Sequence, residues 1–243
     1  MAKLKWDQAG EKTYETGIRQ GVLYPIGTGT AAGTYPKGVA WNGLSSVQES
    51  PSGAEAEAIY ADDIKYLSLT SVEEFGGTIE AYTYPAEWEE CDGSAELAPG
   101  VTIGQQPRKV FGLCYRTVLG NDIEKENYGY KLHLVYGAQA NPSDKQYQSM
   151  NDSPEANAMS WEFTTTPVAI DLVNPKTGKK FNPTASLVID STKTDAAKLT
   201  AIEDILYGSA TTEARLPLPA EVYSILTSTT VIDGDGDVDD DIP

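Results

Sequence analysis

Residues able to do chemistry are few in this chain, and they are poorly grouped. Carboxylates occur as neighbours at Glu73-Glu74, and as Glu87, Glu89 and Glu90 around Trp88. Two carboxylates facing each other across a sugar, with an aromatic platform beside them, are the equipment of a glycoside hydrolase. With 36 acidic residues in the chain, however, such neighbours also arise by chance, and a solvated acidic surface is the plainer reading. His133 is the only histidine; it lies in a strand-like run, with no Gly-x-Ser-x-Gly turn to accompany it. One histidine with Cys91 and Cys114 falls short of a zinc set. Gly27-Thr-Gly-Thr-Ala-Ala32 fits the loose dinucleotide pattern, but Gly33-Thr-Tyr-Pro36 follows where a phosphate-cradling helix would have to begin. A flexible loop is the better account. These residues assign no catalytic role and no cofactor.

One run has the spacing of a calcium loop. In Asp233-Gly-Asp-Gly-Asp-Val-Asp239 the carboxylates of Asp233, Asp235, Asp237 and Asp239 alternate as ligands would. An EF-hand loop needs Gly at its sixth position and Glu at its twelfth. Here Val238 stands sixth, and the sequence ends before the twelfth. The four aspartates are therefore a weak calcium candidate, and an acidic extension over 227–243 is the simpler expectation.

The formal net charge is −18. Six of the carboxylates (Asp233, Asp235, Asp237, Asp239, Asp240, Asp241) lie at the very end, and removing those six charges leaves −12. An acidic body argues against wrapping nucleic acid, which needs Lys and Arg against phosphates. It is compatible with letting nucleic acid pass without holding it. Nowhere do 18 apolar residues run together, and the first residues have no apolar signal core, so a soluble protein with no membrane partner is expected. Two cysteines in a chain this long do not make a disulfide framework, and reduced thiols are expected.

The elements around these residues read as mainly β. Residues 1–37 are broken by Gly17, Gly21, Gly27, Gly29 and Gly33 and are expected to form an irregular arm. Strand patterns follow at 39–47, 64–70, 78–84, 110–118, 130–136, 160–168 and 185–190. Phe111, Leu113 and Tyr115 share a face opposite Cys114 and Arg116; Leu132, Leu134 and Tyr136 oppose Lys131 and His133. The period then changes to three and four at Leu199, Ile202, Ile205 and Leu206. Thr194 stands as N-cap and Gly208 as the stop of a helix near 195–207, and a second short helix is expected over 219–226. Residues 85–107 and 137–157 are long connections. A connection of about 25 residues between strands is rare without a job. Trp88, Leu97, Val101 and Ile103 among the acids of 85–107 make it too apolar for a solvated loop, so these four are candidates for contact with a partner.

Several stretches, in order, carry a resemblance: Gly38-Val-Ala-Trp-Asn-Gly-Leu44, Glu49-Ser-Pro-Ser-Gly-Ala-Glu55, Tyr60-Ala-Asp62, Glu74-Phe-Gly-Gly-Thr-Ile-Glu-Ala-Tyr82, Glu90-Cys-Asp-Gly-Ser-Ala-Glu96, Gly100-Val-Thr-Ile-Gly-Gln-Gln106, Phe111-Gly-Leu-Cys-Tyr-Arg116 and Trp161-Glu-Phe-Thr-Thr-Thr-Pro167. Together with Leu199–Gly208 and Arg215-Leu-Pro-Leu-Pro219, they resemble the major tail protein of long-tailed, non-contractile bacteriophages and prophages of Gram-positive bacteria. The resemblance spans roughly 10–226. It implies a β-sandwich or barrel-like tail tube domain over 38–226 with a flanking helix and long assembly loops. It further implies a virion protein built in the host cytoplasm, whose hexameric rings stack around a tape-measure protein between tail terminator and distal tail proteins. The finished tube would conduct DNA into the host without binding it specifically. The family brings no catalytic residues. The competing expectation is a carbohydrate- or calcium-binding β-sandwich, motivated by Trp88 among acids and by the Asp-rich end.

Within this reading the strands flanking 85–107 belong to the subunit core and the acidic connection belongs to neighbouring subunits. The arm and the 137–157 connection are expected to order only on assembly.

Overall fold

The computed structural model describes residues 3–147, 149 and 156–228. In chain order the strands are β1 (Thr13–Pro25), β2 (Val39–Trp41), β3 (Leu44–Glu49), β4 (Ser52–Gly53), β5 (Ala56–Ala61), β6 (Ile64–Thr70), β7 (Glu73–Glu74) and β8 (Gly76–Ala81). Helix α1 (Trp88–Asp92) comes next. It is followed by β9 (Ala95–Ala98), β10 (Val101–Ile103), β11 (Phe111–Asn121), β12 (Lys125–Ala140), β13 (Met159–Thr165), β14 (Ser186–Asp190), α2 (Ala196–Tyr207) and α3 (Pro219–Thr227). The protein is mainly β, with one large antiparallel sheet and two helices in the C-terminal half.

That sheet runs β2-β1-β11-β12-β13-β8-β3, with β14 sharing the second edge of β12 alongside β13. Its two end strands, β2 and β3, are consecutive in sequence and joined only by Asn42-Gly43. Gly43 sits at φ +77° in that turn, a conformation glycine takes without a Cβ clash. The short link forces the sheet to curl until β1 and β3 lie side by side, with Leu44 packed on Gly21. The inner face then converges on one core: Leu23, Trp41, Ile79, Trp88, Phe111, Leu113, Val135, Trp161 and Phe163. The outer face of β1, β11 and β12 carries a second core of Tyr24, Cys114, Leu132, Leu134 and Tyr136, covered by Leu199, Ile202 and Leu206 of α2 and Val222 of α3. The expected alternation on β11 and β12 is thus observed, with both faces buried. Tyr24 and Tyr136 anchor the cover by donating their hydroxyls to the carbonyls of Leu206 and Pro217.

Several expectations need correction. The N-terminal arm is not irregular throughout: β1 pairs along most of its length with β11, and Leu23 and Tyr24 are fully buried. The glycines that disguise it serve as breaks in register, since Gly17 (φ +66°) and Gly21 flank the two points where the ladder slips. The expected strand at 39–47 is two strands on opposite ends of the sheet, because Gly43 turns the chain between them. The 137–157 connection begins late, as β12 continues to Ala140. The cap of α2 is Asp195 rather than Thr194. Its carboxylate accepts from the N–H groups of Ala197 and Lys198, two of the donors a helix start leaves free. The 219–226 helix is present and starts with Pro219 at its first position. Cys91 and Cys114 are both free and buried, one in each core on opposite faces of the sheet.

Gly137 lets β12 serve both cores. It has φ +61°, and a Cβ there would lie 2.1 Å from the carbonyl oxygen of Thr166. Its N–H donates to the hydroxyl of Tyr35. Gly137→Ala is expected to lower unfolding free energy by about 1–3 kcal/mol or more, through the left-handed backbone and the clash together. Chemical denaturation of the two proteins measures this, and an unchanged midpoint would contradict it.

Candidate assembly surfaces

The most conspicuous surface is the hairpin of β5 and β6. Its turn is Asp62-Asp63, with both residues left-handed (φ +53° and +60°), as a two-residue turn matching strand twist requires. Asp tolerates that region better than most side chains. The register runs from Ala61↔Ile64 to Ala56↔Thr70, and neither strand pairs with the main sheet. Along β6 every residue is exposed, although the run is rich in Ile, Tyr and Leu. Tyr60 is 69%, Ile64 65% and Tyr66 68% exposed. Leu67 and Leu69 are exposed as well, as is Val72 beyond the strand. Among the described residues nothing covers β6 or pairs with either outer edge of this hairpin. Apolar strand residues with unpaired edges are a standing invitation to association.

Ile64–Thr70 is a strand, as its pattern predicts, and it projects from the core. The short β4–β7 ladder, Ser52↔Glu74 and Gly53↔Glu73, forms the neck of the projection. Glu73 and Glu74 are thereby neck residues and not facing carboxylates of a hydrolytic pair.

The 85–107 connection divides in two. Its first half is α1, which turns the indole of Trp88 inward against Trp41 (4.7 Å between ring centroids), Phe111 (4.9 Å) and Trp161 (5.4 Å). Trp88 and Cys91 are fully buried, and burial pushes the Cys91 thiol up to about 12. Trp88 is therefore a core residue, and neither a partner contact nor a sugar platform can be built on it. Glu87, Glu89 and Glu90 follow from that placement: they lie on the outer side of a helix whose apolar residues face in. Glu90 meets Lys109, and Glu87 meets Lys37. The second half is the β9–β10 hairpin, turned at Pro99-Gly100, which exposes Leu97, Val101 and Ile103. These three candidates stand at the surface, in a smaller counterpart of the β5–β6 projection.

His133 sits where the inner core gives way to polar residues. Its ring stacks on Tyr115 at 4.7 Å with 6° between planes. Nε2 lies 3.3 Å from Glu15, and Nδ1 lies 3.5 Å from Glu49 on the opposite side. Tyr115 donates to Glu49, while Thr117 and Lys131 donate to Glu15. The carboxylates flank the imidazole and do not converge on a common point, so no ligand shell forms. Among the described residues no group of three His, Cys, Asp or Glu side chains is arranged to hold a metal ion. Asp233, Asp235, Asp237 and Asp239 lie outside the described residues. This cluster joins β1, β3, β11 and β12 across the seam of the curled sheet, which is a structural task.

The Glu49 carboxyl is held below its ordinary range by His133 and by the Tyr115 hydroxyl. Burial raises the Glu15 carboxyl, but donation from Lys131 and Thr117 outweighs this and leaves it lowered too. Carboxyls lowered in the folded state stabilise it above the ordinary value of 4.5, and that contribution is lost as pH falls through their folded values.

Comparison with known proteins adds no relative: no protein-family model and no curated protein matches the chain. Among the described residues no helix is long and apolar enough to cross a membrane.

Two measurements follow. Trp88→Ala is expected to cost about 3–5 kcal/mol of subunit stability, as removal of a large buried aromatic does. Leu97→Ser and Val101→Ser should leave stability within about 0.5 kcal/mol. A stable Trp88→Ala subunit would contradict the core placement. Acid titration of folding should also show a loss of stability below pH 4.5, reduced in Glu49→Gln. Parallel acid curves for the two proteins would exclude a role for the seam carboxylates.

Proposed function

We propose that this protein is a structural subunit that polymerises through its projecting hairpins, and specifically the tail tube protein of a long-tailed, non-contractile bacteriophage or prophage. The exposed apolar β5–β6 hairpin carries the reading. A monomer gains nothing from keeping Ile64, Tyr66, Leu67 and Leu69 in water on a hairpin that pairs with no strand of the main sheet, whereas a neighbouring copy would bury them. A contact in which one surface meets a different surface of the next copy closes into rings or extends into filaments, according to its rotation. Stacked hexameric rings around a tape-measure protein, ended by tail terminator and distal tail proteins, combine both. The sequence resemblance supplies that particular assembly and its place in the virion.

The charge fits the same role. Carboxylates lining a narrow channel would repel DNA phosphates within a screening length of ~8 Å and so keep DNA from sticking during ejection. The role is non-catalytic and needs no cofactor. Of the alternative, a carbohydrate- or calcium-binding β-sandwich, the carbohydrate half loses its motivation once Trp88 lies inside the core, and the aspartates that motivate the calcium half lie outside the described residues.

Negative-stain electron microscopy of the concentrated full-length protein tests the reading. Rings or tubes of uniform width are expected. A persistent monomer, even beside the phage's other tail proteins, would overturn it. Replacing residues 56–70 by a short Gly-Ser turn should leave a folded subunit that no longer polymerises, and normal tubes from that variant would remove the hairpin from the mechanism.

A further inference from the structure

The projecting hairpin is the outer part of one long two-stranded ribbon that starts in the core. Ser46 to Glu49 of β3 pair with Glu80 to Gly77 of β8, Ser52 and Gly53 with Glu74 and Glu73, and Ala56 to Ile59 with Thr70 to Leu67. No residue is gained or lost on either strand along this path, so the register set in the core is kept out to Ile59↔Leu67. The ladder is nonetheless interrupted between neck and hairpin, where Ala54 and Glu55 stand opposite Val72 and Ser71. The inner side of this interruption is fixed to the body. Ser50 N–H donates to the carbonyl of Gly76 (2.8 Å), and the Thr165 hydroxyl donates to the carbonyl of Phe75 (2.6 Å). The Phe75 ring packs on the inner core, 6.5 Å from that of Phe163, and Glu49 accepts from Tyr115. On the outer side, among the described residues, β5 and β6 pair only with each other.

At the interruption Gly53 (φ +80°) and Ala54 (φ +57°) are both left-handed. Glycine takes that conformation freely, whereas alanine takes it against its own Cβ. Ala54 is exposed, so burial of its methyl group does not offset the strain. The two strands still approach closely there, since a Cβ on Gly53 would lie 2.4 Å from the carbonyl oxygen of Val72. With the register unbroken, the count of residues does not demand a break, and extended backbone would continue the ladder. A strained residue held at an exposed joint points to a conformation kept for what it does. We propose that Gly53-Ala54 is a preset elbow, which turns the β5–β6 hairpin away from the path of its parent strands and aims it for contact with a second copy of this chain. The inference rests on the self-assembly reading above and adds to it how the arm is positioned. A hairpin that already points in its docking direction loses less freedom on binding than one that samples many. The fixed root makes this effective, because a turn at the elbow is then a turn relative to the whole subunit. Ala54 is thus a positioning residue.

The test compares the full-length native sequence with Ala54→Asn, which accepts a left-handed backbone, and Ala54→Val, which resists it. Direction is read in the unassembled subunit as the distance between spin labels at Lys65→Cys on β6 and Asp204→Cys on α2. Both native cysteines are buried and do not take the label. A single narrow distance is expected for the native residue and for Ala54→Asn, and a shifted or broadened one for Ala54→Val. Light scattering then gives the lowest concentration at which each unlabelled protein assembles. That concentration should rise at least about fivefold for Ala54→Val and stay within about twofold for Ala54→Asn, while the unfolding midpoint barely moves. A broad distance distribution with Ala54 in place would overturn the elbow, whatever the variants do. Normal assembly of Ala54→Val would overturn its aiming role and leave self-assembly standing. Failure of the native protein to assemble under any condition would remove the self-assembly reading and the aiming role together.

Discussion

The packing of Trp88 against Trp41, Phe111 and Trp161 is the contact on which the rest of the architecture depends. Each ring comes from a different element: α1, β2, β11 and β13. A flat sheet could not bring these strands to one point. The cluster forms only because the two-residue link between β2 and β3 closes the sheet on itself. Conversely, the closed sheet is stable only because large aromatic rings fill its interior, each burying some 150–250 Å² in a geometry that rings favour. The cost is visible as well, since the indole N–H groups of Trp88 and Trp161 find no acceptor among the described residues.

From that centre the molecule divides its surfaces. The outer face of β1, β11 and β12 is shut by α2 and α3, and its buried tyrosine hydroxyls satisfy helix-end and loop carbonyls. The seam is held by charge, with His133 between Glu15 and Glu49. Two hairpins are left out of both arrangements. Their apolar residues are comparable in kind to those of the core, but no element among the described residues receives them. The self-association proposed above would bury those residues, and the polar groups of the seam are dispersed along it.

Much of the local structure was legible along the chain. Alternation on β11, β12 and β13 and the three-four spacing of α2 report burial directly, since each face meets one environment. The errors share a cause. The first strand was hidden by Gly17 and Gly21, which look like breakers until their register slips against β11 are known. Thr194 and Asp195 are both competent caps, and only the backbone path selects Asp195. The β5–β6 turn could have been found from Asp62-Asp63 between two strand-like runs, but nothing in that pattern says whether the hairpin is inside or outside.

The pattern of residues by itself decided the fold class: many short strands and late helices, in a strongly acidic chain. Those properties depend on composition and near neighbours in sequence. Tertiary structure alone decided the fate of each apolar residue in the acidic connection. Trp88 and Leu97 are nine positions apart and equally plausible as contacts, yet one is wholly buried and the other 67% exposed. The difference arises because α1 is drawn into a cavity made by β2, β11 and β13, whose rings come from positions 23 to 73 residues away, whereas the next hairpin meets no wall among the described residues. Burial is set by what the chain brings back from a distance, and local sequence carries no record of that.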